Sequence, residues 1–309
     1  METEPLHVPV MVREVVESLR VEEGGWYVDC TLGLGGHSRA VLEANPSANV
    51  LGVDRDPQAL ALAREQLARF GPRMRFVHAD FKDVDAWSRE LPEAPRGILA
   101  DLGMSGLQLR SHRGFSFHDG GALDMRMDPS SGPSAEEFLA GAEEGELMRV
   151  LRTYGEEPHA RKIARAISAA RLEAPITDAA RLAEIVGAAI PPHLRGKIHP
   201  ATRTFQALRI QVNRELEGLG TAIERCAGLL CSGGRIVILA YHSLEDRIVK
   251  ETFRSLAKGC ICPPRLPVCA CGRKPTLRLV HRRALRPSEG EVARNPASRS
   301  GRLRAGERL

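Results

Sequence analysis

Between Asp29 and His37 the chain reads Asp-Cys-Thr-Leu-Gly-Leu-Gly-Gly-His, and three more aspartates, Asp54, Asp80 and Asp101, close short apolar runs further on. Glycines at a strand-to-helix turn permit positive φ and let a ligand approach the backbone closely. Three ligand classes use such a turn. A P-loop would end in Gly-Lys-Ser/Thr, which this turn lacks. A dinucleotide fold wants G-x-G-x-x-G, and Ser38 stands where the third glycine belongs. Asp29, just before the turn, would also repel a pyrophosphate. S-adenosylmethionine carries no phosphate and is cationic, so it meets neither objection.

The other aspartates suit the rest of such a nucleoside. Asp54, at the end of a second strand, can accept hydrogen bonds from both ribose hydroxyls. Asp80-Phe81 offers an acceptor to the adenine amine and an aromatic face or edge to its ring. Asp101 closes a fourth strand. Taken singly, each Asp is more often a cap or turn residue. Four at the carboxyl edge of one sheet, beside a glycine turn, form a converging site. His37 fits backbone or cofactor contact at the turn, with acid–base catalysis as the alternative.

The elements that must hold these residues are legible as alternation. Trp26 to Thr31, Asn49 to Asp54, Met74 to Ala79 and Gly97 to Asp101 have the apolar, β-branched character of strands. Helices follow from about Ser38, and from Asp56-Pro57, an N-cap with proline at the first helical position, to about Phe70. Such alternation predicts an α/β, Rossmann-like sheet, parallel, with helices on both faces. From about Gly114 to Pro200 the pattern becomes helical. Ser134 with Glu137 makes a capping box. Leu147, Met148 and Leu151, then Ile163 and Ile167, then Leu182, Ile185, Val186 and Ala189, recur at helical spacing. The expected organisation is a discontinuous sheet domain, 1–113 with 201–309, and an inserted all-helical domain, 114–200, suited to substrate recognition. Arg235 to Tyr241 resumes the strands and a helix starts near Leu244. Leu277 to Arg283 and a stretch near Leu303 are candidate closing strands.

At 309 residues, 43% apolar and 27% charged, the composition is that of a folded globular protein. Aromatics at 4% argue against wide base-stacking platforms. No apolar run approaches the roughly 20 residues of a membrane span, and the N-terminus lacks a secretory pattern, which points to the cytoplasm. The formal charge of +5 is unevenly placed: residues 273–309 hold eleven Lys/Arg against three Glu. A basic end suits a polyanion such as nucleic acid, or is simply a solvated face.

Two other groups of residues could do chemistry. Cys260, Cys262, Cys269 and Cys271 can ligate zinc as a thiolate tetrad, although structural sites more often use C-x-x-C; thiols without metal are the alternative. His242 and Asp246, after the fifth strand, either shape a pocket or cap a helix. In HPATRTFQALRIQVNREL, Phe205, Leu208, Val212 and Leu216 form a core stripe, leaving Arg203, Arg209 and Asn213 off it for phosphate or base contact, or for solvent.

The runs TLGLGGHS, GVDRDPQAL, DLGMSGLQL, RGFSF, LDMRMD, HPATRTFQALRI and YHSLEDRIVK resemble the bacterial small-subunit ribosomal RNA methyltransferase H family, also called MraW. The likeness extends from His7 to Pro296. It implies a methyltransferase Rossmann fold with a helical insertion after the fourth strand, and methylation of a cytosine N4 in the decoding region of 16S rRNA within the small subunit. It also implies cofactor contacts at Gly35, Gly36, His37, Asp54, Phe81, Asp101 and Gln108. The chain departs from the usual DLGVSSPQLD: Gly106-Leu107 replaces Ser-Pro and Arg110 replaces Asp.

Methylating an exocyclic amine needs no covalent nucleophile. The site must favour a pyramidal nitrogen in line with the sulfonium methyl, so positioning contributes most, with effective molarities of ~10⁵ M or more for aligned reactants. An acceptor for the N4 protons helps, and Asp101 is the candidate catalytic acceptor or cofactor anchor. C5 methylation would need a cysteine nucleophile, whereas Cys30, Cys226 and Cys231 read as small buried residues. Two rival functions remain at this level. One is an RNA-binding assembly factor that holds S-adenosylmethionine with little catalysis; the other, an NAD oxidoreductase, is disfavoured by Ser38 and Asp29.

Overall fold

The computed structural model describes residues 8–117, 121–196, 198–260, 262–263, 268 and 270–309, without the side chains of Leu109 and Arg110. It divides into two compact units, Met1–Gly103 with Gly218–Leu309, and Met104–Glu217.

The first unit holds a seven-stranded sheet. Its strands are β1 (Gly25–Asp29), β2 (Ala48–Asp54), β3 (Met74–His78), β4 (Gly97–Leu102), β5 (Arg235–Ala240), β6 (Leu277–Leu279) and β7 (Arg302–Arg308). They lie in the order β3-β2-β1-β4-β5-β7-β6. The first five are parallel, and β7 runs antiparallel to both β5 and β6. The expected Rossmann-like α/β sheet is therefore present, closed by an antiparallel edge. Parallel strands are covered on both faces and carry near-continuous apolar runs; Trp26 to Asp29 in β1 are all buried. One core joins Val15, Leu19, Tyr27, Val50, Leu60, Leu99, Val237 and Leu303.

Local chemistry accounts for the element ends. Asp56 accepts the Gln58 N–H at 3.0 Å and Pro57 occupies the first helical position of Pro57–Leu67. That helix stops three residues before the expected Phe70, and a 3₁₀ stretch takes over where Gly71 adopts φ +54° before Pro72. The first strand ends at Asp29, not Thr31, because the Thr31 N–H turns back to the Asp29 carboxylate. β6 is shorter than Leu277 to Arg283 and ends at Leu279.

The second unit is helical, and its described residues include no strand longer than an isolated bridge. Ser134 and Glu137 form the expected capping box. Leu147, Leu151, Ile163, Ile167, Leu182, Ile185 and Val186 all enter its core. The unit extends beyond 114–200 because the helix Ala201–Asn213 buries Phe205 and Leu208 in that same core. Asn213 fixes the Leu-Asp-Met-Arg-Met run: its Oδ1 accepts the Met127 N–H at 2.8 Å and its Nδ2 donates to the Met125 carbonyl at 2.7 Å. Among the described residues, no helix is long and apolar enough to cross a membrane.

Candidate active site

The strand order places the site. The chain leaves β1 outward through β2 to β3, then returns to the other side of β1 for β4 and β5. In open α/β sheets, ligands bind outside the carboxyl ends of the strands at such a reversal. Asp29 ends β1 and Asp101 is the penultimate residue of β4, so the two strands that flank the reversal both deliver carboxylates there.

Six side chains interlock at this edge. Asp29 Oδ2 accepts the Ser38 hydroxyl at 2.7 Å, which gives Ser38 a role that glycine there could not fill. His37 Nε2 stands 3.4 Å from Asp101 Oδ2. Tyr241 donates its hydroxyl to Asp101 Oδ1 at 2.7 Å, and the Asp101 N–H donates to Thr31 Oγ1 at 2.6 Å. His37 is only 6% exposed, and its Nδ1 has no hydrogen-bond partner among the described residues. A buried polar atom without a partner is expensive, and in native sites it commonly awaits a ligand or water.

Asp54 sits beside this group at the end of β2. Its Oδ2 accepts the Gly33 N–H at 2.6 Å and its Oδ1 the Asp56 N–H at 2.8 Å. Each carboxylate oxygen has a second lone pair, so the ribose role expected of Asp54 remains chemically open. The cost of gathering carboxylates shows in their protonation. Burial pushes the Asp54 carboxyl up to about 6 against those two N–H donors, and Asp56 and Asp29 add to the rise. Burial also raises Asp29, with Asp101 contributing and His37 and Ser38 opposing. Burial alone would lower His37, but Asp101, then Asp29 and Glu291, outweigh it and raise the imidazole above its usual value. Burial and Asp101 push Tyr241 well up, so its hydroxyl stays a proton donor. The edge is short of positive charge. A cation would relieve it; a pyrophosphate would aggravate it.

The glycines of the turn answer packing as well as approach. Gly35 adopts φ +79° as the N-cap of Gly36–Ala44, and a Cβ there would lie 2.5 Å from Leu67 Cδ1. A Cβ on Gly36 would meet Pro9 Cγ at 2.8 Å. Phe81 follows β3 in the first unit, where its carbonyl accepts the Trp87 indole N–H at 2.9 Å. Its neighbour Asp80, expected from the sequence to accept from adenine, is 3.3 Å from Arg55 and 3.8 Å from Lys82 in an ion-pair group. Gln108 belongs to the other unit, where its Oε1 and N–H form a capping box with Ser105 in Gly106–Arg110. Gly35, Gly36, His37, Asp54 and Asp101 thus share the edge of the first unit, with Phe81 at the end of the neighbouring β3.

Other candidates resolve into structural roles. His242 is the N-cap of Ser243–Ala257, accepting the Glu245 N–H at 3.4 Å. Asp246 grips Arg304 at 2.7 and 3.1 Å and Arg302 at 3.0 Å, tying that helix to β7; the arginines hold its carboxyl below the usual range despite burial. Arg209 pairs bidentately with Glu215, both bonds at 2.8 Å. Cys30 and Cys226 are each 2% exposed, and their mutual hydrogen bond, with burial, pushes the Cys30 thiol well up, unlike a nucleophile. Sequence reasoning missed Tyr241 as a site residue. No local signal marked it: β4 pairs with β5 through Asp101 and Leu239 only in the folded sheet, and that register puts Tyr241 just past the edge beside Asp101.

The MraW methylase family model matches residues 4–309. A ribosomal RNA small subunit methyltransferase H from Anaeromyxobacter sp. (strain K) is 51% identical over 310 residues, covering 98% of each chain. The protein of the same name from Syntrophotalea carbinolica is 49% identical over 307 residues, again covering 98% of each. That from Thermomicrobium roseum is 48% identical over 306 residues, covering 98% of this chain and 94% of its own.

Proposed function

The chain belongs to the MraW methylase family, and on that premise we propose that it transfers the methyl group of S-adenosylmethionine to the exocyclic N4 of a cytidine in the decoding region of 16S rRNA, in the cytoplasm. The observation that carries the reading is the crowded anionic edge at the sheet's reversal, where Asp29 and Asp101 act on His37, whose buried ring Nδ1 has no hydrogen-bond partner among the described residues, and Asp54 ends the neighbouring β2. When bound, S-adenosylmethionine supplies an electrophilic methyl on a sulfonium. Gly35 and Gly36 admit it at the turn, Asp54 accepts the ribose hydroxyls, and Phe81 faces the adenine. Asp29 and Asp101 favour its positive groups over a neutral or anionic nucleoside.

Asp101 is the residue best placed to accept a proton from the reacting amine, because both its oxygens are held in place from behind. Tyr241 orients Oδ1 and His37 faces Oδ2. Preorganised acceptors of this kind need little rearrangement as charge develops. The helical unit takes the role of substrate recognition. Cys30, the cysteine next to the glycine turn, is buried with its thiol pushed well up, unlike a C5-attacking nucleophile, which favours the amine.

The test is transfer of labelled methyl to small subunits from a strain lacking the enzyme, followed by nucleoside analysis of the RNA. Label in an N4-methylated cytidine is the expected result. Label at C5, or binding of both substrates without transfer, would replace this reading with a different methylase or with an assembly factor.

A further inference from the structure

Cys30 and Cys226 are buried as small core residues; the described late cysteines are not. Cys260 and Cys271 are exposed and Cys262 half-buried, yet their sulfurs all lie within 4.8 Å of one another. Core packing does not explain such a group. We propose that Cys260, Cys262 and Cys271 bind a structural zinc ion as thiolates, independently of the methyl-transfer site. Cys269, the remaining cysteine of this run, lies outside the described residues.

The distances fit a metal. With Zn–S bonds of about 2.3 Å in a tetrahedron, neighbouring sulfurs fall roughly 3.8 Å apart. The sulfurs of Cys260 and Cys271 are separated by 3.8 Å. A disulfide would instead need about 2.05 Å. The Cys262 N–H points to the Cys260 sulfur at 3.4 Å, the kind of backbone donor that steadies a metal-bound thiolate. Gly272, directly after Cys271, adopts φ +60°, which lets the chain turn sharply away from the cluster.

The loop is already closed at its base. The Thr276 N–H donates to the Leu256 carbonyl at 2.9 Å, and Arg273 donates to the Ser255 carbonyl at 2.9 Å and hydroxyl at 3.1 Å. These bonds join the end of the helix Ser243–Ala257 to the start of β6, and the described residues of the stretch between are exposed or half-buried. A thiolate-bound ion would supply the cross-link that a core cannot. Sulfur donors select a soft or borderline metal, and three thiolates leave one tetrahedral corner for a further donor.

Zinc content is measured by plasma mass spectrometry on the full chain, reconstituted with zinc under reducing conditions and passed over a chelating resin. About one zinc per chain is expected. Cys260→Ser and Cys271→Ser should each lose most of it, while Cys231→Ser keeps it. Cobalt reconstitution of the unaltered protein needs no variant to fold, and should give a sulfur-to-cobalt charge-transfer band with the intense visible bands of tetrahedral coordination. Less than roughly a tenth of an equivalent of zinc, or undiminished zinc in both serine variants, overturns the proposal. So does an octahedral, sulfur-free cobalt spectrum.

Discussion

Asp54 should make cofactor affinity depend on pH in a window that its own surroundings define. Unliganded, its carboxyl is pushed up to about 6 by burial, even though Gly33 and Asp56 donate N–H bonds to it. Two ribose hydroxyls donating to the carboxylate would favour the ionised form and draw its pKa back down. Below pH 6, binding must then expel a proton, so affinity falls as pH drops and levels off above about 7. If the bound form returns to the ordinary 3.8, the full change is about 2 pH units, or about 3 kcal/mol, complete only below pH 3.8; between pH 8 and pH 5 affinity should fall roughly 10-fold. The assay is calorimetry with S-adenosylhomocysteine from pH 5 to 8, in paired buffers of different ionisation enthalpy. Near pH 5 close to one proton should be released per ligand, and near pH 8 almost none from this group. Asp54→Asn should flatten the acid limb and weaken binding at pH 8 by roughly 1–3 kcal/mol, since hydrogen bonds to a charged acceptor are lost. Affinity constant from pH 5 to 7, together with an unaltered constant in Asp54→Asn, would refute the pairing of this carboxylate with the ribose.

Four further outcomes follow from particular contacts. Tyr241→Phe removes the hydroxyl that holds Asp101 Oδ1; single-turnover methyl transfer should slow by roughly 10- to 100-fold while cofactor affinity changes little, as expected for a lost bond to a charged group. The His37 imidazole should titrate above its usual value in a histidine NMR experiment, because Asp101 and Asp29 outweigh burial. Being raised, it contributes stability that is complete below about pH 6.5 and fades as pH rises through the folded value; in Asp101→Asn the midpoint should drop, and an unmoved midpoint would break the His37–Asp101 link. Gly35→Ala places a Cβ 2.5 Å from Leu67 at φ +79° and should destabilise the protein by about 1–3 kcal/mol in urea unfolding. Asn213→Ala leaves the Met127 N–H and Met125 carbonyl without their partner and should weaken the helical unit by roughly 1–3 kcal/mol, seen as faster amide exchange across residues 125–127.

The strand runs, the Asp56-Pro57 helix start and the Ser134–Glu137 capping box are all local, which is why they were legible. Alternating apolar runs and turn residues act over a few positions, and Asp56 and Ser134 do in the fold what their neighbours dictate. Roles that depend on distant partners were not legible. Arg209 and Asn213 read as open to phosphate, base or solvent, and each is committed to a partner within its own unit. Of the two readings left for His242 and Asp246, His242 takes the helix cap, while Asp246 pairs with Arg304 and Arg302 far along the chain.

Residue order along the chain was enough to determine an α/β sheet and a helical stretch between its fourth and fifth strands, and to point to a phosphate-free nucleoside as ligand, since those depend on spacing and residue type. Tertiary structure alone decided that β1 and β4 lie side by side, that β7 enters between β5 and β6, and that Tyr241 reaches Asp101 from 140 positions away. Strand pairing is settled by the burial of whole faces against one another, and no stretch of the chain carries that information by itself.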